Sequence, residues 1–243
     1  MSSGQDMERP PQIVITREFL AEGSFLEKVR QQFGDQVLSD EALSRSLSET
    51  LALQPSPGPV WLFAYGSLMW NPAFDYAESG VALLRGWERS FCIWTSYARG
   101  TVDRPALTLA LDEGGSSEGI AFRIAPGREA SELLLVWRRE MLGNIYRPEW
   151  VRIDIGGTMQ WAIAFVANRS RGSYVGHLPE ITIARNIASS EGALGTARAY
   201  FEEMMRHLDG LSLRDSRMER LRILLANADQ ENESQPRRAG KVD

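Results

Sequence analysis

The clearest structural signal in the sequence is the stretch Trp61-Leu62-Phe63-Ala64-Tyr65-Gly66-Ser67-Leu68. Its first five residues form a short apolar run bounded by Pro59 and Gly66, which predicts a buried strand. The strand runs into a Tyr-Gly-Ser turn, where Gly66 allows a positive φ or a close approach by a ligand. Successive backbone N–H groups in such a turn can attract a carboxylate or an oxyanion. The alternative is an ordinary turn after a strand.

Ser67 is not predicted to be a nucleophile. The pattern G-x-S-x-G is absent from the sequence, and it is the usual signature of a serine presented on a strand-to-helix elbow. A Ser–His arrangement would have to use His177 or His207, and neither lies in a motif that suggests this role.

Further short apolar segments predict six more strands, most of them separated by Gly, Pro and Asp turn signals. They cover residues 80–84, 90–95, 107–111, 119–124, 151–155 and 160–166. One helix is predicted near 129–142, and three more follow the last strand, over 181–190, 196–208 and 215–226. Strands in the middle with helices at both ends predict an α+β fold, with a curved sheet or a small barrel. The chain has neither βαβ alternation nor G-x-G-x-x-G, which argues against a Rossmann domain.

Residues 1–58 are predicted to form a helical extension that ends in a Pro-rich linker, followed by a domain over 59–226 and a disordered tail over 227–243. The linker is Gln54-Pro55-Ser56-Pro57-Gly58-Pro59, which interrupts regular structure. Candidate helix N-caps in the extension are Thr16, Ser24 (before a helix over 25–33) and Ser39. The last of these helices presents one apolar stripe, formed by Leu43, Leu47 and Leu51.

Composition excludes several classes of protein. Apolar residues make up 43% and charged residues 24% of the chain, as in globular proteins. The net charge of −5 argues against a general nucleic-acid binder. No apolar run approaches the roughly 20 residues that cross a bilayer, and the first residues lack the apolar segment of a signal peptide. We therefore expect a cytoplasmic protein with neither a nucleic-acid nor a membrane partner.

The single cysteine, Cys92, lies in an apolar aromatic stretch. One cysteine cannot form an intrachain disulfide, which agrees with a reducing compartment, and we expect it to be a small buried hydrophobe. With His177 and His207 as the only histidines, the usual zinc ligand set is not available. We expect no metal site.

The predicted helix over 129–142 carries a carboxylate where its pattern calls for an apolar residue. The apolar stripe consists of Leu133, Val136 and Trp137, and the next position in the series is Glu140. An inward Glu140 would have a raised pKa, which suits acid–base catalysis near neutral pH. The alternative is that the stripe ends at Trp137 and that Glu140 is exposed at a frayed end. Arg138 and Arg139 lie off the stripe and are predicted to be solvated.

Two Gly-flanked loop segments contain further candidate residues. Arg99 could bind a substrate carboxylate through two parallel hydrogen bonds, or it could cover a loop. Tyr174 is a loop tyrosine for which structural and binding roles are both open.

Together these stretches resemble the ChaC-type γ-glutamylcyclotransferase family, whose members degrade glutathione. The resemblance covers about residues 60–225, in the family's order and spacing. The matching motifs are Trp61-Leu62-Phe63-Ala64-Tyr65-Gly66-Ser67-Leu68-Met69-Trp70-Asn71-Pro72, Arg89-Ser90-Phe91-Cys92, Arg99-Gly100-Thr101, Gly114-Gly115, Gly119-Ile120-Ala121-Phe122-Arg123, Leu135-Val136-Trp137-Arg138-Arg139-Glu140-Met141, Tyr146-Arg147-Pro148 and Tyr174-Val175-Gly176-His177-Leu178.

The resemblance implies a γ-glutamylcyclotransferase-like mixed β-barrel with flanking helices. It also implies conversion of glutathione to 5-oxoproline and Cys-Gly without metal or cofactor, with Glu140 as general base and acid. It implies substrate binding by Leu62, Phe63, Ala64, Tyr65, Gly66, Ser67 and Leu68, to which we add Arg99 and Tyr174. Two positions depart from the family pattern: Ala64 replaces a usual Gly, and Pro105-Ala106-Leu107 replaces Pro-Gly-Leu.

Two other functions stay open from the sequence. The chain could be a cyclotransferase for other γ-glutamyl amines, or a non-catalytic regulator of a cation transporter. An inward Glu140 argues against the second, since a binding module has no need of it.

Overall fold

The computed structural model describes residues 15–23, 27, 29–31 and 37–234. A closed five-stranded barrel forms the centre of the molecule, with strand order β1-β3-β2-β4-β5. The strands are β1 (Trp61–Ala64), β2 (Glu78–Thr95), β3 (Ala106–Arg123), β4 (Tyr146–Ile155) and β5 (Thr158–Ala167). The barrel is mixed, because β5 runs parallel to β1 and β3 while the other pairs are antiparallel. The predicted α+β fold with a mixed barrel is confirmed.

Strands β2 and β3 are longer than predicted, at 18 residues each. Each joins two predicted strands, because the glycines that suggested turns lie in irregularities within the ladder. Gly86 on β2 has a positive φ, as do Gly114 and Gly115 opposite it on β3, and the register shifts there between Arg85 and Trp87. A glycine at a bulge lets a strand bend without ending it.

Six helices with described bounds surround the barrel, and residues 27 and 29–31 are also helical. The six are α1 (Arg17–Ala21), α2 (Asp40–Ala52), α3 (Glu129–Glu140), α4 (Glu180–Ser189), α5 (Ala197–Gly210) and α6 (Ser216–Ser234). A two-stranded ribbon of β6 (Glu191–Gly192) and β7 (Gly195–Thr196) precedes α5. A 3₁₀ turn over Ser67–Met69 follows β1.

The N-terminal extension packs against helix α3 and the barrel. The predicted N-caps Thr16 and Ser39 are confirmed, since their hydroxyl oxygens accept from Phe19 N at 3.2 Å and Ala42 N at 3.1 Å. Leu43 and Leu47 are buried and Leu51 is half-buried, as the stripe predicts. Residues 54–59 have no regular structure, as expected of the linker. The predicted cap Ser24 and most of the predicted helix over 25–33 lie outside the described residues.

The C-terminal helix is longer than predicted. Helix α6 continues to Ser234, past residue 226, so the expected disordered tail does not begin at 227. Residues 235–243 lie outside the described part of the chain. Among the residues that the structure describes, no helix combines the length and apolarity that a membrane span needs.

Candidate active site

A cavity of about 330 Å³ opens between the end of helix α3, the barrel and helix α5. Its size falls in the range of small-molecule sites. Its charged and phenolic lining residues are Arg99, Arg139, Glu140, Tyr97, Tyr146 and Tyr200. Acidic, basic and neutral hydrogen-bonding groups therefore meet in one apolar-walled space.

Glu140 is the last residue of α3 and faces this cavity. The stripe that precedes it is buried, as predicted: Leu133, Val136 and Trp137 are at most 1% exposed. The Glu140 side chain is only 16% exposed. Burial raises the pKa of its carboxyl, and the neighbouring charge of Arg139 opposes the shift. The inward orientation is thus the observed one.

Arg139 is not solvated, and the prediction for it is wrong. Its Nε lies 3.0 Å from Glu140 Oε1, and its side chain is 6% exposed. Its Nη2 donates to Ser67 Oγ at 2.7 Å and its Nη1 donates to the Asn71 carbonyl. The 3₁₀ turn after β1 covers this face of the helix end, so one guanidinium joins that turn to the Glu140 carboxylate.

Arg138 is also not simply solvated. It forms a bidentate pair with Asp40 at 2.7 and 3.1 Å and donates to the carbonyls of Leu20 and Ala21. The N-terminal extension covers this side of α3, which helical periodicity alone does not reveal.

Three tyrosines line the cavity, Tyr97, Tyr146 and Tyr200, and a fourth, Tyr65, precedes the turn at Gly66. Burial raises the pKa of Tyr97 and of Tyr200 to about 12, and the negative charge of Glu140 acts in the same direction. Burial also raises the pKa of Tyr65 and Tyr146 well above the usual value. The last two are fixed by hydrogen bonds, Tyr65 to the Phe165 carbonyl at 2.7 Å and Tyr146 to the Leu109 carbonyl at 2.9 Å. All four are hydrogen-bond donors at neutral pH.

The turn after β1 has a different backbone from the one expected. Gly66 has φ −132°, so the expected positive φ is wrong. The other alternative, a close approach by a ligand, stays a prediction. The neighbour that approaches Gly66 in the structure is a side chain, since a Cβ on Gly66 would lie 2.8 Å from the Tyr200 phenolic oxygen. Ala64 has no positive φ either, and lies within extended β1, which explains why alanine fits in place of the family's glycine.

A buried arginine fixes this turn. Arg89 on β2 is 1% exposed, and its Nε donates to the Tyr65 carbonyl at 2.7 Å. Its Nη1 pairs with Asp215 at 3.2 Å. Because the peptide is planar and trans, the Gly66 N–H points away from Arg89. The sequence predicted no function for Arg89, which appeared only as part of a motif. The feature that could have indicated a buried role is its position, a charged residue at the start of an apolar strand segment.

Arg99 lines the cavity rather than covering a surface loop. Its Nη1 donates to the carbonyls of Leu194 at 2.6 Å and Thr196 at 3.0 Å, and its guanidinium lies 4.8 Å from the ring centre of Tyr200. These two hydrogen bonds use Nη1 alone, and Nε and Nη2 make no hydrogen bond within the described part of the chain.

The other predicted substrate-binding residues do not all meet at the cavity. Of the stretch from Leu62 to Leu68, Ser67 is the residue among the described cavity-lining residues, and Leu62, Phe63 and Ala64 are fully buried in the core. Tyr174 is not among the described residues that line the cavity; its hydroxyl donates to the buried Asp112 at 2.8 Å. Its contacts anchor a loop.

Sequence reasoning missed several cavity residues. They are Ile15, Trp70, Asn71, Tyr97, Tyr146 and Tyr200. Tyr97 lies two residues before Arg99, and Trp70, Asn71 and Tyr146 lie in motifs that carry the family resemblance. Their proximity to candidate residues could have indicated that they belong to the site. Nothing in the sequence singled out Ile15 or Tyr200.

Cys92 is fully buried, as predicted, and burial raises the pKa of its thiol to about 12. Within the described residues, no group of three or more His, Cys, Asp or Glu side chains could hold a metal ion.

The chain is similar in sequence to known proteins. Residues 60–228 match the family model described as ChaC-like protein. The chain is 38% identical over 204 residues to the glutathione-specific gamma-glutamylcyclotransferase of Escherichia coli (strain K12), which covers 83% of this chain and 88% of that protein. It is 34% identical over 161 residues to glutathione-specific gamma-glutamylcyclotransferase 1 of Rattus norvegicus, covering 62% of this chain and 72% of that protein.

A solved structure shows the same fold. The crystal structure of the γ-glutamyl cyclotransferase specific to glutathione from yeast matches with a TM-score of 0.62 and 16% identity. The match covers 70% of this chain and 99% of the yeast chain.

Proposed function

This chain belongs to the ChaC-like protein family, and we propose that it is a glutathione-specific γ-glutamylcyclotransferase, converting glutathione to 5-oxoproline and Cys-Gly. The observation that carries the proposal is the Glu140 carboxyl, buried with a raised pKa in the wall of a cavity that also presents arginines. Relatives that bear this name match most of the chain or its barrel domain.

The reaction is an intramolecular transfer. The α-amine of the γ-glutamyl group attacks its own γ-carbonyl, a new C–N bond closes the five-membered lactam, and the C–N bond to cysteine breaks. Because the nucleophile is tethered, the cavity has only to hold the substrate in the attack geometry, where effective molarities reach about 10⁵ M or more.

Glu140 would move the proton in this reaction. The substrate amine is mostly ammonium at pH 7 and must lose a proton before it can attack, and the leaving nitrogen must gain one. A carboxyl whose pKa is raised toward neutrality can do both in turn. Desolvation of Glu140 supplies the rise, while Arg139 keeps the carboxylate form accessible.

Negative charge develops on the γ-carbonyl oxygen during attack. The Gly66 N–H points away from the Arg89-held carbonyl of Tyr65, and Gly66 itself lies against two cavity residues, Tyr200 and Leu109. A backbone donor fixed in this way stabilises an oxyanion with little reorganisation.

Arg99 is our assignment for the glutamyl α-carboxylate. Its Nη1 is anchored to two carbonyls, and the open Nε and Nη2 form an edge that suits a bidentate carboxylate. Anchoring before substrate arrives reduces the entropy lost on binding.

Incubation of the purified protein with glutathione tests the proposal. We expect 5-oxoproline and Cys-Gly in equal amounts, detected by mass spectrometry. Glutathione should be consumed faster than γ-glutamyl-alanine in direct competition, since the Cys-Gly part supplies additional binding energy. Equal consumption of the two would instead assign a general cyclotransferase, and no product from either would favour the non-catalytic regulator.

Two modified substrates test the mechanism. N-acetylglutathione lacks the nucleophilic amine and α-linked Glu-Cys-Gly cannot close the ring in this way, so neither should react. Turnover of N-acetylglutathione would exclude intramolecular attack and indicate a hydrolase.

A further inference from the structure

A second cavity, of about 240 Å³, adjoins the first. Four residues line both cavities: Thr95, Tyr97, Leu142 and Ile145. The segment that follows Glu140 connects the two cavities: Glu140 lines the first, Leu142 lines both and Gly143 lines the second. Gly143 makes this arrangement possible, since a Cβ there would lie 2.7 Å from the Tyr97 phenolic oxygen.

The second cavity combines apolar walls with one cation. Trp94, Pro105 and Val37 contribute apolar surface, and Arg171 is the one charged side chain among the described residues that line it. The Arg171 guanidinium has no hydrogen bond or ion pair within the described part of the chain. Arg99 and Arg139 in the first cavity, by contrast, each make at least two hydrogen bonds.

We propose that the second cavity binds the Cys-Gly part of glutathione and that Arg171 binds the glycine carboxylate. This rests on the proposed function, which positions the scissile amide at Glu140 and the glutamyl carboxylate at Arg99. The leaving dipeptide then extends away from Arg99. A dipeptide spans at most about 7 Å, and the second cavity, of about 240 Å³, lies directly beside the first.

The proposal makes Arg171 a specificity-determining residue. Substrates with a carboxylate two residues beyond the scissile amide gain a charge-assisted hydrogen bond, and γ-glutamyl amines without one do not. Because Arg171 is exposed, water screens part of this interaction, and we expect about a tenfold effect rather than a larger one.

Kinetics on glutathione and on its glycine carboxamide test the assignment. In the parent protein, kcat/KM should be about tenfold lower for the amide. Arg171→Gln should lower kcat/KM for glutathione to the level of the amide and leave the amide within twofold. The control Arg152→Gln removes a cation that lies over Trp161, outside both cavities, and should keep the parent's preference. Equal effects of Arg171→Gln on both substrates, or no effect on either, would overturn the proposal.

Product binding decides the same question without turnover. Calorimetry should show Cys-Gly binding about tenfold more tightly than Cys-Gly amide to the parent, and equally to Arg171→Gln. If this preference is found but glutathione is not cleaved, the binding site stands and the proposed function fails. If glutathione is cleaved but Arg171→Gln changes neither kinetics nor binding, the function stands and the binding site is wrong.

Discussion

Helix α3 carries two inward carboxyl groups that behave in opposite ways. Glu132, near the start, is fully buried, yet the pKa of its carboxyl is lowered to about 2. Glu140, at the end, retains some exposure, yet burial raises the pKa of its carboxyl. Exposed surface alone would predict the reverse order. Glu132, however, lies beneath two partly exposed arginine side chains, whereas Glu140 lies deeper and is more strongly desolvated, and a second factor adds to this difference.

The second factor is the number of hydrogen-bond donors that each carboxylate accepts from. Glu132 accepts from both arms of Arg17, from Arg128 and from the Asp75 backbone N–H at 2.9 Å. Among the described residues, Glu140 has one ion-pair partner, Arg139, which also binds Ser67 and Asn71. Hydrogen bonds to the charged form offset desolvation at the first site and leave it uncompensated at the second. One end of α3 is an anchor for the N-terminal extension that is ionised at neutral pH, and the other carries the carboxyl that we propose exchanges a proton.

The strongest test of this difference is Glu140→Gln. We expect kcat for 5-oxoproline formation to fall by roughly 10²–10⁴, the usual contribution of an acid–base group, while glutathione binding changes little. Gln keeps the shape of the side chain but cannot accept the proton. Initial rates and calorimetric binding measure the two effects separately.

The matched control is Glu129→Gln, the same substitution in the first turn of the same helix. It should keep the parent's rate. A Glu140→Gln protein with a rate within twofold of the parent would show that this carboxyl does not transfer the proton.

Glu132→Gln should affect stability rather than chemistry. The variant loses charge-assisted hydrogen bonds from Arg17 and Arg128, which are worth roughly 1.5–3 kcal/mol, and should unfold at lower denaturant concentration. Both arginines are partly exposed, so water solvates them again and limits the loss. Urea unfolding measures the change, with Glu129→Gln as the comparison. A drop in kcat as large as that of Glu140→Gln, with stability unchanged, would contradict the assignment of roles.

The fold was largely predictable because its signals are local. Helix caps such as Thr16 and Ser39 and the apolar run of β1 depend on neighbouring residues, and both appear where expected. The long strands were not predictable from Gly86, since a glycine at a bulge and a glycine in a turn have the same sequence signature.

The candidate site was predictable only in part, for a physical reason. Helical periodicity identifies the face on which Glu140 lies, but it does not reveal what packs on the neighbouring face. Arg139 is buried by a turn some seventy residues earlier in the chain, and Arg99 is anchored by carbonyls 95 and 97 residues later. Contacts of this kind join segments that are distant in the sequence. Glu132 was missed for the same reason, since its partner Arg17 lies 115 residues earlier.

A smaller effect is expected from Ser67→Ala. Ser67 Oγ accepts from Arg139 Nη2, so its loss loosens the cation that pairs with Glu140, and we expect a fall in kcat of less than about tenfold. The control Ser131→Ala removes a hydroxyl near the Glu132 end of the same helix, where it donates to the Arg128 carbonyl at 3.0 Å. It should have no effect on rate. Complete loss of activity in Ser67→Ala, together with an acyl-enzyme trapped in the parent, would make Ser67 a nucleophile.

The smallest effect is the pH dependence of stability, and it should have opposite signs at the two ends of α3. The lowered pKa of Glu132 means that its stabilisation is present above about pH 4.5 and is lost as the pH falls toward 2. The raised pKa of Glu140 means that the folded state favours the protonated carboxyl, so stability is lost as the pH rises through that pKa.

Glutamine resembles a carboxyl that stays neutral. The Tm of Glu140→Gln relative to the parent should therefore increase between pH 5 and pH 8, by about 2–4 °C for each 1 kcal/mol in a chain of this size. The deficit of Glu132→Gln should instead be constant over that range and shrink below pH 4.5. Thermal unfolding of the parent and both variants across pH 3–8 measures both trends. Parallel curves for the two variants would mean that the carboxyls do not differ in the way that their donors indicate.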